Sequence, residues 1–399
     1  MTASATSGSE YTRAQRREGV VRGGGAPRTA IVHDWLTGMR GGEKVLEVLC
    51  ERFPDADIFT LLHVPGSVSS TIERHRIHTS ALQHLPGVRR YYRECLLLFP
   101  TLVEQFRLDG FDLVISSSHC VAKSALARPS ARHVCYCHTP MRYAWDQFDA
   151  YFGPDRIGRA GSWAMRHVMA RLARWDRDTS SRPHRYVTNS QYVAGRIRRY
   201  YNREATVVHP PVDTDFYRPN GAVPERYALI VSALVPYKRI DLAIDACRLA
   251  GVPLRVAGIG PDRARLDALA SGAPGSDVSF LGRQTNEELR ELYRHAGVVL
   301  LPGEEDFGIA PLEAQACGRP VVAYGRGGAL DTVIPGETGL LVDEATPAAF
   351  AEAITRVIHH PFDVAAIRRH AERFGRERFG DEMVALISSE TTGRESLRC

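Results

Sequence analysis

Lysine is nearly absent from this chain: Lys44, Lys123 and Lys238 are the only three among 51 basic residues. Positive charge is supplied as arginine, so the three exceptions are candidates for positions that need a compact ammonium. All three fall beside predicted strand ends or glycine-rich turns. Long apolar runs are also missing. The densest, Cys95 to Phe99, is far below the ~20 residues a membrane helix needs, and the N-terminus lacks an apolar signal core. The expected location is the cytoplasm. Eight cysteines occur without paired metal-ligand spacing, which reads as reduced and mostly buried thiols. Cys135-Tyr-Cys137-His138 alternates as a packed strand would, and no metal is expected. No nucleic-acid recognition motif accompanies the arginines, so nucleic acid is not an expected partner.

At 399 residues and 44% hydrophobic content, the chain is long enough for two domains plus tails. Residues 1–27, rich in Ser, Thr, Gly and Arg, show no apolar periodicity and are expected to form a disordered tail. Buried strands are expected at residues 29–34, 57–62, 111–116, 133–138, 185–190 and 205–209, separated by helical stretches. A second series follows at 227–232, 253–257, 278–281, 298–301 and 320–324. Each series predicts a parallel sheet with helices on its faces, an α/β domain. The prolines of Pro210-Pro211-Val-Asp-Thr-Asp-Phe-Tyr-Arg-Pro219 suit a stiff junction. The expected boundaries are therefore 28–211 and 212–386, with the last helices packing back on the first domain and a tail over 387–399. Open α/β sheets bind ligands at strand carboxyl ends, which places the site in the cleft between the domains.

Glu305 and Glu313, with seven residues between them in Glu-Asp-Phe-Gly-Ile-Ala-Pro-Leu-Glu, are the densest chemical signal. A strand ends near Pro302, Pro311 suits a first helical turn, and Gly318 with Pro320 closes the helix. Glu305 then lies in the loop and Glu313 one to two turns into the helix. The backbone N–H groups of Phe307, Gly308, Ile309 and Ala310 lie between them. Helix-start N–H groups attract anions while the carboxylates accept hydrogen bonds from hydroxyls, so a diphosphate between a sugar and a ribose fits. Other strand-end groups converge on the same cleft. They are Asp34 and the turn holding Gly41, Gly42 and Lys44, then Lys123, His138 and Arg142, then Lys238 and Arg239, and finally Gly258, Gly260 and Arg283.

Charge is uneven along the chain. Residues 156–199 hold eleven arginines against Asp176 and Asp178. Within this segment Met165, Val168, Met169, Leu172 and Trp175 share one helical face, which suits packing on the parent domain or contact with an anionic membrane surface.

These residues resemble family 4 glycosyltransferases, retaining enzymes of the GT-B architecture, over roughly residues 28–386. Val-His-Asp-Trp-Leu, Gly-Gly-Glu-Lys-Val-Leu, Cys-His-Thr-Pro-Met-Arg-Tyr-Ala-Trp-Asp and Val-Pro-Tyr-Lys-Arg-Ile-Asp look most like the bacterial O-antigen mannosyltransferase branch. The resemblance implies two Rossmann-like domains facing across a cleft, with GDP-mannose as co-substrate and no further cofactor. It implies a glycan or lipid-linked saccharide acceptor at the inner face of the cell membrane. By the same resemblance Glu305 holds donor-sugar hydroxyls and Glu313 the ribose, Lys238 neutralises the diphosphate, and His138 positions the transferred sugar. Gly41 and Gly42 approach the donor from the first domain, while Asp34, Lys44, Lys123 and Arg142 are acceptor-side candidates. The family's usual arginine before this lysine is Ala233 here. Arg239 is the replacement to examine, although neighbouring helical side chains diverge by about 100°. The alternatives are a UDP-sugar donor and a catalytically inactive nucleotide-sugar-binding scaffold.

Overall fold

The computed structural model describes residues 27–272 and 274–392. Apart from Pro27, the expected N-terminal tail lies outside the described residues, as do residues 393–399 of the expected C-terminal tail.

Seven strands form the first sheet: β1 (Thr29–His33), β2 (Asp57–Thr60), β3 (Ile77–Thr79), β4 (Leu113–Ser118), β5 (Arg132–Cys137), β6 (Arg185–Thr188) and β7 (Ala205–Val207). Their order is β3-β2-β1-β4-β5-β6-β7 and every pairing is parallel. The second sheet holds β8 (Ala228–Val231), β9 (Leu254–Ala257), β10 (Val278–Gly282), β11 (Val298–Leu301), β12 (Val321–Tyr324) and β13 (Gly339–Val342). It is also wholly parallel, in the order β10-β9-β8-β11-β12-β13. Both faces of each sheet are covered, which is why the strands read as unbroken apolar runs. In β1, Ala30 and Val32 enter one core while Ile31 enters the core on the opposite face.

Two strands escape the sequence pattern. β3 is Ile-His-Thr and β13 is Gly-Leu-Leu-Val, and both lie at sheet edges. Short edge strands need no long apolar run. The helix Arg376–Thr392 runs across the boundary expected at 386. Phe379, Met383 and Ile387, four residues apart, bury one face of that helix in the first domain's core. The chain thus crosses to the second sheet and returns.

In both sheets the strand order reverses beside the first strand, between β1 and β4 and between β8 and β11. Ligands of open α/β sheets bind at such switch points, outside the strand carboxyl ends. Those ends carry His33, Asp34 and Ser117 in one domain and the loops 232–239 and 302–308 in the other.

The arginine-rich segment forms the helix Pro154–Asp178. Met169 and Leu172 are buried, and Met165, Val168 and Trp175 pack against the same core. The apolar face is therefore used internally. Cys135 and Cys137 are likewise core residues, and all seven cysteines among the described residues are free thiols. No helix among those residues is long and apolar enough to cross a membrane.

Candidate active site

β11 delivers the chain to Pro302-Gly303, where a side chain could not fit. A Cβ on Gly303 would lie 2.3 Å from the Tyr237 carbonyl oxygen and 2.8 Å from Lys238 Cα. This close approach lays the loop after β8 directly on the loop after β11. Lys238, ending the short turn Pro236–Lys238, forms an ion pair with Glu305. Burial alone would lower the Lys238 pKa, but Glu305 and Tyr237 outweigh it and raise it, so the ammonium stays charged. Replacing Gly303 with Ala should force these loops apart and lower donor affinity by tenfold or more. Donor titration calorimetry checks this, and unchanged affinity would show that the Lys238–Glu305 contact survives without the close approach.

The helix Ile309–Ala316 starts at Gly308, whose φ of +92° favours glycine. Ile309 and Ala310 open the helix, and Glu313 lies within it, as the Pro311 and Gly318 punctuation implies. Phe307 contributes its backbone to the loop while its ring stacks on His209 at 5.4 Å and is buried. Glu313 accepts a 3.0 Å hydrogen bond from the Tyr293 hydroxyl and pairs with Lys44 of the opposite domain. Lys44 therefore reaches the predicted ribose carboxylate and not a separate acceptor pocket. Gly41, one turn before it, faces Ile309, because a Cβ there would meet Ile309 Cδ1 at 3.1 Å. Gly42 faces the imidazoles of His33 and His138, each 3.7 Å from a Cβ at that position.

His138 follows β5, and its Nε2 lies 2.9 Å from Ser117 Oγ. Burial, with the nearby imidazoles of His119 and His33, holds its pKa well below the ordinary histidine value, so the ring is neutral at physiological pH.

The other three acceptor-side candidates are also engaged by groups of the protein. Asp34 is buried and accepts four backbone N–H bonds, from His119, Cys120, Val121 and Ala122, at 2.7–3.0 Å. It organises the loop after β4 and has little capacity left for a substrate. Lys123 points away from the cleft. Its Nζ donates to the Asp176 carbonyl at 2.7 Å and lies 3.1 Å from the Asp176 carboxylate, while the side chain is 1% exposed. Arg142 does reach the cleft but is engaged by Asp306 of the second domain.

Asp306 was not singled out by the sequence pattern, yet it joins the domains. Arg142 Nε donates to it at 2.9 Å and Arg196 Nη1 at 2.9 Å, while its backbone oxygen accepts from Ser190 Oγ at 2.5 Å. Burial would raise its carboxyl pKa, but the two guanidinium groups hold it below the usual value. Beside it lies a cavity of 350 Å³ lined by Arg142, Tyr192, Arg196, Tyr237, Arg239 and Asp306.

Arg239 is not one step along a helix from Lys238, as the 100° argument assumed. It is the left-handed N-cap (φ +53°) of the helix Ile240–Ala250 and lines that cavity, with a 3.4 Å contact to Asp241. A left-handed arginine is strained by roughly 1 kcal/mol, a cost that tends to persist where geometry serves a site. Arg239→Gly should raise unfolding stability by about that amount while lowering turnover. Equal or higher turnover would remove Arg239 from the site.

Gly258 and Gly260 serve packing between strand-end loops, since a Cβ on either would lie 1.9 Å from Ser232 O or 2.2 Å from Leu234 O. Arg283 is exposed near the same strand ends.

Two parallel-sheet domains with paired switch points and a carboxylate-flanked helix start define a GT-B glycosyltransferase fold. The model for Glycosyltransferase Family 4 matches residues 39–216 and that for Glycosyl transferases group 1 matches residues 213–378. The chain belongs to glycosyltransferase family 4. A D-inositol 3-phosphate glycosyltransferase of Geodermatophilus obscurus is 34% identical over 238 residues, covering 51% of this chain and 52% of that protein. A Rhodococcus erythropolis protein of the same description is 32% identical over 231 residues, covering 50% and 52%. The chain thus spans about half the length of the curated relatives it matches. Among solved structures, Anabaena HepE in complex with UDP-glucose superposes with a TM-score of 0.67 at 18% identity, covering 90% of this chain and 99% of that one. At that identity the likeness is one of fold.

Proposed function

We propose that this protein is a retaining glycosyltransferase that moves mannose from GDP-mannose to a lipid-linked saccharide or related glycan. The observation that carries the reading is the pairing of Lys238 with Glu305 and of Lys44 with Glu313 on either side of one helix start. A donor diphosphate at Ile309 and Ala310 would meet helix-start N–H groups and the Lys238 ammonium. The carboxylates would turn to hydroxyls of the sugar and ribose. In a front-side displacement the bond from the sugar's anomeric carbon to phosphate breaks, its electron pair passing to the phosphate oxygen. The acceptor oxygen bonds to the same face, and its proton passes to that phosphate oxygen. Lys238 and the helix dipole stabilise the charge as it develops, and the closed cleft supplies orientation.

The relatives described as D-inositol 3-phosphate glycosyltransferases favour a second reading, a phosphorylated polyol acceptor, taken together with the alternative of a UDP-sugar donor. Nucleotide release from a panel of GDP- and UDP-sugars, with membrane lipid extract or inositol phosphate as acceptor, separates the two. Release from GDP-mannose that depends on lipid extract supports the first, and UDP release that depends on inositol phosphate replaces it. Donor binding without release under any acceptor would favour an inactive scaffold.

The acceptor reading includes a peripheral site on the inner face of the cell membrane. Its support is the exposed pair Leu97 and Leu98 beside exposed Arg89, Arg90 and Arg93, together with Trp163 at 68% exposure on the arginine-rich helix. The protein should float with anionic vesicles and not with zwitterionic ones. Equal recovery from both would remove this part.

A further inference from the structure

Four polar side chains run in file from the core of the first domain to the cleft. Glu43 Oε1 lies 3.8 Å from His33 Nε2. His33 Nδ1 lies 3.1 Å from Ser117 Oγ, and Ser117 Oγ lies 2.9 Å from His138 Nε2. Glu43, His33 and Ser117 are each at most 3% exposed. His33 Nε2 is buried without a hydrogen bond and faces the Glu43 carboxylate at ion-pair distance, and Glu43 is anchored through its second oxygen by the Arg40 N–H at 3.1 Å. Three groups with so few partners determine one another's protons.

The direction follows from donor and acceptor capacity. A carboxylate only accepts, so when the His33 ring carries a single proton that proton belongs on Nε2, facing Glu43. Its Nδ1 is then an acceptor and takes the single Ser117 hydroxyl proton. The Ser117 oxygen in turn accepts from His138, which must carry its proton on Nε2. A neutral His138 is left with a bare Nδ1, on the side of the ring away from Ser117. Burial holds Glu43 up but its histidine contacts outweigh that and keep it ionised, and His138 is held neutral.

We infer that the Glu43 carboxylate, facing His33 Nε2, and the hydrogen bonds from His33 through Ser117 form a polar relay that fixes His138 as the Nε2–H tautomer, presenting Nδ1 to the cleft as an acceptor for a sugar hydroxyl. The three are positioning residues, since none reaches the cleft itself. The inference deepens the proposed transfer reaction and rests on it for the hydroxyl, but the tautomer is a property of the protein alone. Its failure is therefore distinguishable from failure of the functional reading.

The test is imidazole 15N NMR of the histidine-labelled full chain at neutral pH, assigned with His138→Gln and His33→Gln. The expected spectrum shows His138 as a single Nε2–H tautomer. An Nδ1–H tautomer or an imidazolium would overturn the relay. Glu43→Gln offers His33 both a donor and an acceptor, so a second His138 tautomer should appear although residue 43 never touches His138. An unchanged single tautomer would show that Glu43 does not set the proton order. Ser117→Ala should lower kcat/KM about tenfold, the scale of one lost hydrogen bond. Ser116 makes the matching bond to His133 Nε2 at 2.8 Å on the other face of β4. Ser116→Ala should cost similar stability and leave the His138 spectrum and kcat/KM alone. Equal kinetic losses in the two serine variants would reduce Ser117 to a packing role.

Discussion

Lys238→Ala should lower turnover by roughly 10²–10³-fold, the scale for removing one preorganised group that stabilises developing charge. The loss should fall on kcat more than on KM, because the ammonium opposes charge that grows as the sugar–phosphate bond breaks. The variant also strips Glu305 of its ion partner, so thermal unfolding must be followed in parallel. Assays well below the unfolding midpoint separate lost chemistry from lost fold. Lys238→Arg is informative beside it. A guanidinium keeps the charge but not the compact ammonium that pairs with Glu305, so rescue should be partial. Turnover within threefold of wild type in Lys238→Ala would remove this residue from the chemistry.

The second large effect is expected at Asp306. Asp306→Ala would leave Arg142 and Arg196 facing a buried interface without their shared carboxylate, and stability should fall by about 3–5 kcal/mol. Turnover should fall as well, because Asp306 is the residue after Glu305 and its contacts set how the domains meet. Its folded pKa lies below the unfolded value of about 3.9. Its stabilising contribution is therefore complete above the unfolded value and lost as pH falls through the folded one. Asp306→Asn should accordingly flatten the acid limb of the stability–pH curve while lowering stability at neutral pH. Urea unfolding at a series of pH values checks both. A full-strength acid limb in Asp306→Asn would place the titration elsewhere.

The paired-sheet plan was legible because buried parallel strands leave continuous apolar runs, and Pro and Gly punctuate the strand–loop–helix unit around Glu305 and Glu313. Lys238 was legible for the same reason, at the matching end of β8. What escaped depended on partners distant in sequence. Asp306 looks like one more acid in a polar loop until Arg142 and Arg196, 164 and 110 residues away, are brought to it. Lys123 shared the rarity of its two fellow lysines, yet its partner Asp176 is 53 residues further on and lies in the core. Asp34 followed a strand end, as cleft residues do, but the β4 loop turns four N–H groups onto it. Strand-end position therefore gives a residue's place along the chain but not the direction in which its side chain turns. Side-chain direction made the difference.

Product analysis tests the central claim most directly. The protein would be given α-linked GDP-mannose and membrane lipid extract, and the anomeric configuration of the purified product read by NMR against the amount of nucleotide released. The account predicts an α-linked product, formed one for one with released GDP and absent with Glu305→Gln. A β-linked product, free mannose in place of transfer, or unchanged transfer in Glu305→Gln would contradict it.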